Sequence, residues 1–107
     1  MKKDKVNKLK AAGWSVGNAS DFLGLTPEEE KYVELKLTLA RAVKHLRKAR
    51  KLTQVELAKR IGSSQSRIAK MEAADASVST DLMVKSLFNL GATRSDIANF
   101  FSAGKPA

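Results

Sequence analysis

Apolar residues recur at three- and four-residue spacing through most of the chain, a pattern that predicts helices and no strands. The longest predicted helix begins after Thr26 and runs to about Arg50. Thr26 can cap this helix, Pro27 suits its first position, and Glu29 completes a capping box. Residues 1–26 before it form a leader that we expect to be partly irregular.

The apolar residues of this long helix form two stripes. One stripe follows the whole helix and comprises Tyr32, Leu35, Leu39, Ala42, Leu46 and Ala49. The other is confined to the first half and comprises Val33, Leu37 and Ala40. A helix that is apolar on two faces has two surfaces to cover, so we expect one to meet a second copy or a partner. A fully buried helix is the alternative.

Four shorter helices are predicted to follow. Capping residues and glycines mark their boundaries. The second helix, 54–61, follows Thr53 and ends before Gly62, and the third, 65–72, follows Ser63 or Ser64. The fourth begins after Ser79 or Thr80 and ends at Leu90, and the fifth follows Thr93 and runs through Phe101. The apolar face of the fourth helix comprises Leu82, Met83, Leu87, Phe88 and Leu90. The predicted fold is all-α, with five helices in a domain over residues 27–107.

Residues 54–72 predict two helices joined by a tight turn. Helices that cross steeply need a small residue at their contact, which Ala58 supplies, and a turn residue that accepts positive φ, which Gly62 supplies. The expected core-facing residues are Leu57, Ile61, Ile68 and Met71. The residues left to face outward are Gln65, Ser66, Arg67, Ala69 and Lys70. This is the arrangement in which a helix enters the major groove of DNA.

Composition narrows the class of protein. The 107 residues suit one domain, and the absence of cysteine excludes disulfides and Cys-based metal sites. The start of the chain does not resemble a signal peptide, and no apolar run is long enough to cross a membrane. We therefore expect a cytoplasmic, nucleoid-associated bacterial protein with no membrane contact.

Charge points to a polyanionic partner, since the net charge is +9. Between Arg41 and Lys70 only Glu56 is acidic, and this window holds the whole excess. We expect Lys48, Arg50 and Lys59 to bind phosphates. A second basic cluster comprises Lys2, Lys3, Lys5, Lys8 and Lys10. A solvated basic face is the alternative interpretation of such runs.

From about Leu39 to Leu90 the sequence resembles the Cro and lambda-repressor (XRE) family of helix-turn-helix domains. The landmarks are Leu52-Thr53-Gln54, Leu57-Ala58, Ile61-Gly62, Ser64-Gln65-Ser66 and Ile68 with Met71-Glu72. The resemblance implies DNA contacts by Gln54, Ser64, Gln65, Ser66, Arg67 and Lys70, with Gln54 also bracing Gln65. It implies a structural ion pair between Arg47 and Glu72. Ala74 departs from the family, which often has glycine two residues after the glutamate.

Two segments stand out before the long helix: Gly13-Trp14-Ser15-Val16-Gly17 and Phe22-Leu23-Gly24-Leu25-Thr26-Pro27-Glu28-Glu29. With them, the leader resembles that of HigA-like antitoxins. The resemblance implies a homodimer that binds a palindromic operator, represses its own operon, and neutralises a small RelE/HigB-like toxin. The expected partner-binding residues are Trp14, Phe22, Leu23, Leu25, Val33 and Leu37. A stand-alone XRE regulator of phage, plasmid or chromosomal origin is the alternative. An RNA-binding module is disfavoured because there is no aromatic platform.

An enzyme is the alternative of a different class. His45 is the only histidine, and it stands among basic residues with no cysteine and no clear carboxylate partner. The acidic run at 28–30 suits a helix start better than a metal site. We expect no catalytic residue, no metal and no cofactor.

Overall fold

The computed structural model describes residues 23–102, and within this range the chain forms five helices and no strands. They are α1 (Pro27–Ala49), α2 (Gln54–Ile61), α3 (Gln65–Glu72), α4 (Thr80–Asn89) and α5 (Arg94–Ser102). The predicted all-α fold is confirmed. Trp14, Phe22 and the lysine-rich start of the leader lie outside the described residues.

The predicted helix starts are present. Thr26 and Glu29 form a capping box in which the backbone N–H of each residue donates to the side chain of the other, at 2.9 and 3.1 Å. Thr53 and Glu56 repeat the arrangement at 2.8 and 3.1 Å. Side-chain caps also begin the later helices: Ser64 for α3, Ser79 for α4, and Thr93 paired with Asp96 for α5. These caps satisfy backbone donors that a helix start leaves unpaired.

The helices α1 to α4 share one way of ending. After each comes a residue of positive φ: Lys51 (57°), Gly62 (67°), Ala74 (55°) and Gly91 (93°). The next backbone N–H then donates to a carbonyl five residues earlier, in the pairs Leu52 to Arg47, Ser63 to Ala58, Asp75 to Lys70 and Ala92 to Leu87. These are Schellman motifs, which reverse the chain within a few residues and so keep the helices close.

The core forms where α1 packs against α3, α4 and α5, while α2 packs on α3 and α4. Its largest fully buried apolar side chains are Leu57, Ile68, Met71, Met83, Leu87, Leu90, Val43 and Val78. Ala58 is 3% exposed, which agrees with its expected place at a helix contact. Ile61, expected in the core, is only half-buried at its edge.

The longer apolar stripe of α1 is buried only in part. Tyr32 and Leu35 are 37% and 41% exposed, and Ala49 is also exposed. Lys36 and Arg47 are buried in their place. Arg47 pairs with Glu72, and the charge of Lys36 helps to lower the pKa of Asp75. Hydrophobic spacing alone reveals neither of these buried positions. On α4, Phe88 is likewise 46% exposed, although it was expected in the apolar face.

A second, small apolar cluster lies at the start of α1. Val33 is 4% exposed and packs with Leu23, Leu25 and Leu37. These four residues were expected to contact a partner. Their contacts with one another are made within the chain, and the exposed apolar side chains nearby belong to Tyr32 and Leu35.

Candidate nucleic-acid interface

The turn between α2 and α3 sets the angle at which α3 leaves the domain. Gly62 has φ 67°, and the N–H of Ser63 donates to the carbonyl of Ala58 at 2.8 Å. Ser64 then caps α3 by accepting from the N–H of Arg67 at 3.1 Å. The fully buried side chains of Ile68 and Met71 anchor the inner face of α3. The opposite face of α3 is therefore presented to solvent by a fixed scaffold.

One ion pair ties α1 to the end of α3. Nε and Nη2 of Arg47 donate to the two carboxylate oxygens of Glu72 at 2.5 and 3.0 Å. Nη1 of Arg47 donates to the carbonyl of Leu52 at 2.7 Å, after the end of α1. The two side chains are only 10% and 5% exposed. Hydrogen bonding to Glu72 raises the pKa of Arg47, since the bond stabilises the charged guanidinium.

Two glutamines continue from this pair to the start of α3. Nε2 of Gln54 donates to Oε1 of Glu72 at 3.2 Å. Nε2 of Gln65 donates to Oε1 of Gln54 at 2.6 Å. The structure thus brings Arg47, Glu72, Gln54 and Gln65 into one network across α1, α2 and α3. Sequence reasoning named each of these residues and two of the contacts, but it missed the bond from Gln54 to Glu72, whose partners are 18 residues apart.

The outward side chains of α3 are polar or basic. Gln65, Ser66, Arg67 and Lys70 are exposed, and Ala69 is half-buried. A groove of about 250 Å³ lies beside this face, and its lining residues are Ser64, Ser66, Arg67, Lys70, Ser77 and Val78. The loop that carries Ser77 was not expected at this surface, and its sequence gives no periodic signal that could have placed it there.

Asp75 shapes this loop. Its Oδ1 accepts from the backbone N–H and the hydroxyl of Ser77 at 2.8 and 2.6 Å. These bonds, aided by the charges of Lys70 and Lys36, lower the pKa of Asp75. The carboxylate therefore stays ionised and holds Ser77 near the groove.

The remaining basic residues have different positions. Lys48, Arg50 and Lys59 are exposed. The guanidinium of Arg50 lies directly against Gly91. A Cβ added to this glycine would be 2.1 Å from Nη2 of Arg50, so a side chain at position 91 would displace the guanidinium. Arg60 donates to the side chain and the carbonyl of Asn89 at 3.1 and 2.9 Å, so it braces α2 against α4.

Residues 43–85 match the family model described as helix-turn-helix. The matched segment comprises the last two turns of α1, the whole of α2 and α3, and the first half of α4. The match covers 43 of the 107 residues, and over this segment the chain is similar to XRE-type helix-turn-helix domains. That family comprises DNA-binding regulatory proteins and not enzymes. No curated protein and no solved structure matches the chain. Over residues 23–102, no helix has the combination of length and hydropathy that a membrane span requires.

Proposed function

We propose that the protein is a transcription regulator that binds duplex DNA with α3 in the major groove. The observation that carries the proposal is the exposed polar face of α3, which follows the tight turn at Gly62 inside the matched helix-turn-helix segment. Gln65 and Ser66 stand at the start of α3, the part of a recognition helix that reaches base edges. Lys70, one turn later, reaches a base or a phosphate.

Phosphate contacts surround this helix in the proposed complex. Lys48, Arg50, Lys59 and Arg67 are exposed cations, and they bind the backbone without regard to sequence. Ser64 and Gln54 add polar groups at the starts of α3 and α2. Residues 54–72 form the motif in this proposal, and the domain extends over residues 27–107 with the leader before it.

The finer proposal is a homodimer on a palindromic operator that represses transcription of its own operon. One recognition helix reads few base pairs, and two helices about 34 Å apart read a longer site with greater specificity. A dimer also explains why the domain carries exposed apolar side chains such as Phe88 and Phe101.

The DNA-binding proposal is tested by selecting from randomised DNA duplexes with the full chain. We expect a palindromic sequence to be enriched. Affinity for it should fall steeply with salt, because bound phosphates release counterions. Titration of the selected duplex against a scrambled duplex gives the specificity. Equal affinity for both duplexes, or binding indifferent to salt, would contradict the proposal.

We further propose that the protein is the antitoxin of a HigBA-like pair and binds a small, basic RelE/HigB-like toxin. Support comes from the first half of α1, where Tyr32 and Leu35 are exposed beside Glu28, Glu30 and Glu34. An apolar patch with acidic neighbours suits a basic protein surface and repels DNA. The proposal also assigns partner contacts to the leader residues Trp14 and Phe22, which lie outside the described residues, and to Leu23, Leu25, Val33 and Leu37.

The antitoxin proposal is tested with tagged protein washed at high salt to remove nucleic acid. A partner identified by mass is then co-expressed with variants of the patch. We expect Leu35→Ser to weaken the complex, whereas Val55→Ser, which changes an equally exposed side chain on α2, leaves it intact. A chain that binds its own promoter but retains no stoichiometric partner would instead be a stand-alone XRE regulator.

A further inference from the structure

One carboxylate lies beside the basic outer face of α3. Asp75 follows α3 in the loop that leads to α4, and its backbone N–H donates to the carbonyl of Lys70 at 2.9 Å. Its Oδ1 accepts from the backbone N–H and the hydroxyl of Ser77. Ser77 lines the same groove as Arg67 and Lys70. An anion is therefore built into the surface whose cations we propose to contact DNA.

The carboxylate of Asp75 engages groups that suit a phosphate. Hydroxyls and backbone N–H groups are among the donors that hold phosphate oxygens in protein–DNA complexes. Both donors of Ser77 are taken by one carboxylate oxygen, at 2.8 and 2.6 Å. The carboxylate is also close enough to Lys70 and Lys36 for their charges to lower its pKa. Because the attraction between charges is mutual, Asp75 offsets part of the positive charge that Lys70 presents at the groove.

The turn at Asp75 does not itself require a negative charge. An asparagine makes the same turn, because its side-chain oxygen also accepts from the backbone two residues later. Asp75 is the only charged residue of the loop over residues 73–79. The shape of this loop and its charge can therefore be changed separately, and the charge is the part that a nearby phosphate would meet.

We propose that Asp75 is an internal anion that weakens the binding of DNA of any sequence, by repelling phosphates beside α3 and by offsetting the charge of Lys70. The proposal rests on the proposed DNA-binding function and adds a residue that lowers the affinity. A chain with a net charge of +9 binds any duplex through its cations. A fixed carboxylate at the contact surface lowers this affinity, and it leaves the ratio between the operator and other DNA unchanged, because phosphates carry no sequence information.

The test measures the affinity of the full chain for the selected duplex and for a scrambled duplex over a range of salt concentrations. Asp75→Asn should bind both duplexes more tightly by the same factor. This factor should be about 2- to 10-fold at low salt, as expected for one charge a few ångströms from another across water. The slope of log affinity against log salt should become steeper by up to about 0.9, the value for one further phosphate neutralised.

Asp96→Asn is the matched control. The carboxylate of Asp96 also accepts from a backbone N–H, that of Thr93 at 2.8 Å, and the substitution adds the same charge to the chain. Asp96 lies on α5, which packs on α1. Both affinities of this variant should stay at the wild-type level, since salt screens a charge that is distant from the bound DNA.

The contribution of Lys70 is isolated in a double mutant. In the background of Lys70→Ala, Asp75→Asn should raise the affinity less than it does in the wild type, because the cation that Asp75 offsets is absent. An equal gain in both backgrounds would overturn the part of the proposal that involves Lys70.

Folding is checked by circular dichroism, and Asp75→Ser, which keeps a short acceptor without the charge, carries the test if Asp75→Asn is unfolded. Unchanged or weaker binding by the folded variant would overturn the proposal. A gain that persists at high salt would also overturn it, because screening removes an effect of charge. A gain confined to the selected duplex would do the same, since it would indicate a contact with bases. If the wild type bound neither duplex, the DNA-binding proposal would fall and this one with it.

Discussion

Two of the four left-handed residues that end the helices are not glycine, and this gives a prediction about stability. Lys51 has φ 57° and is exposed, whereas Ala74 has φ 55° and is 3% exposed. A residue with a Cβ pays about 1–2 kcal/mol for this conformation. Glycine adopts this conformation without that strain. Its unfolded chain has more conformational freedom, however, which lowers the free energy of unfolding by about 0.5–1 kcal/mol. Lys51→Gly should therefore stabilise the protein by about 0.5–1 kcal/mol.

Ala74→Gly differs because the methyl group is buried. Its removal loses about 1 kcal/mol of burial and packing, which offsets the gain in backbone energy. We expect its free energy of unfolding to stay close to that of the wild type. The reciprocal control is Gly62→Ala, since an added Cβ there meets nothing within 4 Å and φ is 67°. That variant should lose about 0.5–1 kcal/mol through the backbone alone.

Urea unfolding followed by circular dichroism measures all three changes. The gain in Lys51→Gly corresponds to a rise in Tm of about 2–8 °C for a domain of this size. The reasoning would be refuted if Lys51→Gly were less stable than the wild type, or if Ala74→Gly gained more than Lys51→Gly. A neutral Gly62→Ala would show that the left-handed conformation costs little in these motifs.

Three further predictions concern charge. Glu72→Ala should lose about 3 kcal/mol of stability in urea unfolding, because it leaves the buried guanidinium of Arg47 without its partner; a loss below about 1 kcal/mol would contradict this. Lys59→Ala should lower the slope of log affinity for DNA against log salt by about 0.9, whereas Lys31→Ala, at the acidic end of α1, should not change it. Hydrogen bonds from Thr53 lower the pKa of Glu56 below its ordinary value of 4.5. The ionised carboxylate of Glu56 therefore contributes fully to stability above pH 4.5, and this contribution is lost as the pH falls through the lowered pKa. Acid titration of unfolding in Glu56→Gln should show a shallower decline, and a decline as steep as that of the wild type would contradict the assignment.

Local sequence signals predicted the helices well because the ends are determined locally. The capping boxes at Thr26 and Thr53 and the left-handed Gly62 each involve residues within a few positions of one another. The left-handed Ala74 had no such signal, because alanine disfavours that conformation and tertiary packing imposes it. Ala74 nevertheless adopts the left-handed conformation that ends α3.

The inner face of α1 could not be predicted because its deciding contacts are charged. Arg47 pairs with Glu72, and Lys36 lies close enough to Asp75 to lower the pKa of that carboxyl. Hydrophobic periodicity treats both basic residues as surface positions, although both are buried, whereas Tyr32 of the longer apolar stripe is 37% exposed. The acidic partners are 25 and more residues away along the chain, so only the folded structure brings them together.

These charged contacts connect the stability of the domain with its proposed recognition of DNA. Arg47 of α1 holds the end of α3 through Glu72, and the charge of Lys36 favours the ionised form of Asp75 in the loop after it. Glu72 also accepts from Gln54, which in turn accepts from Gln65. A substitution at Glu72 should therefore lower the stability of the domain and release the amide of Gln54, whereas a substitution at Gln65 changes an exposed side chain. New operator specificity should consequently be reached by changes at the exposed Gln65 and Ser66 and not at the buried Arg47 and Glu72 behind them.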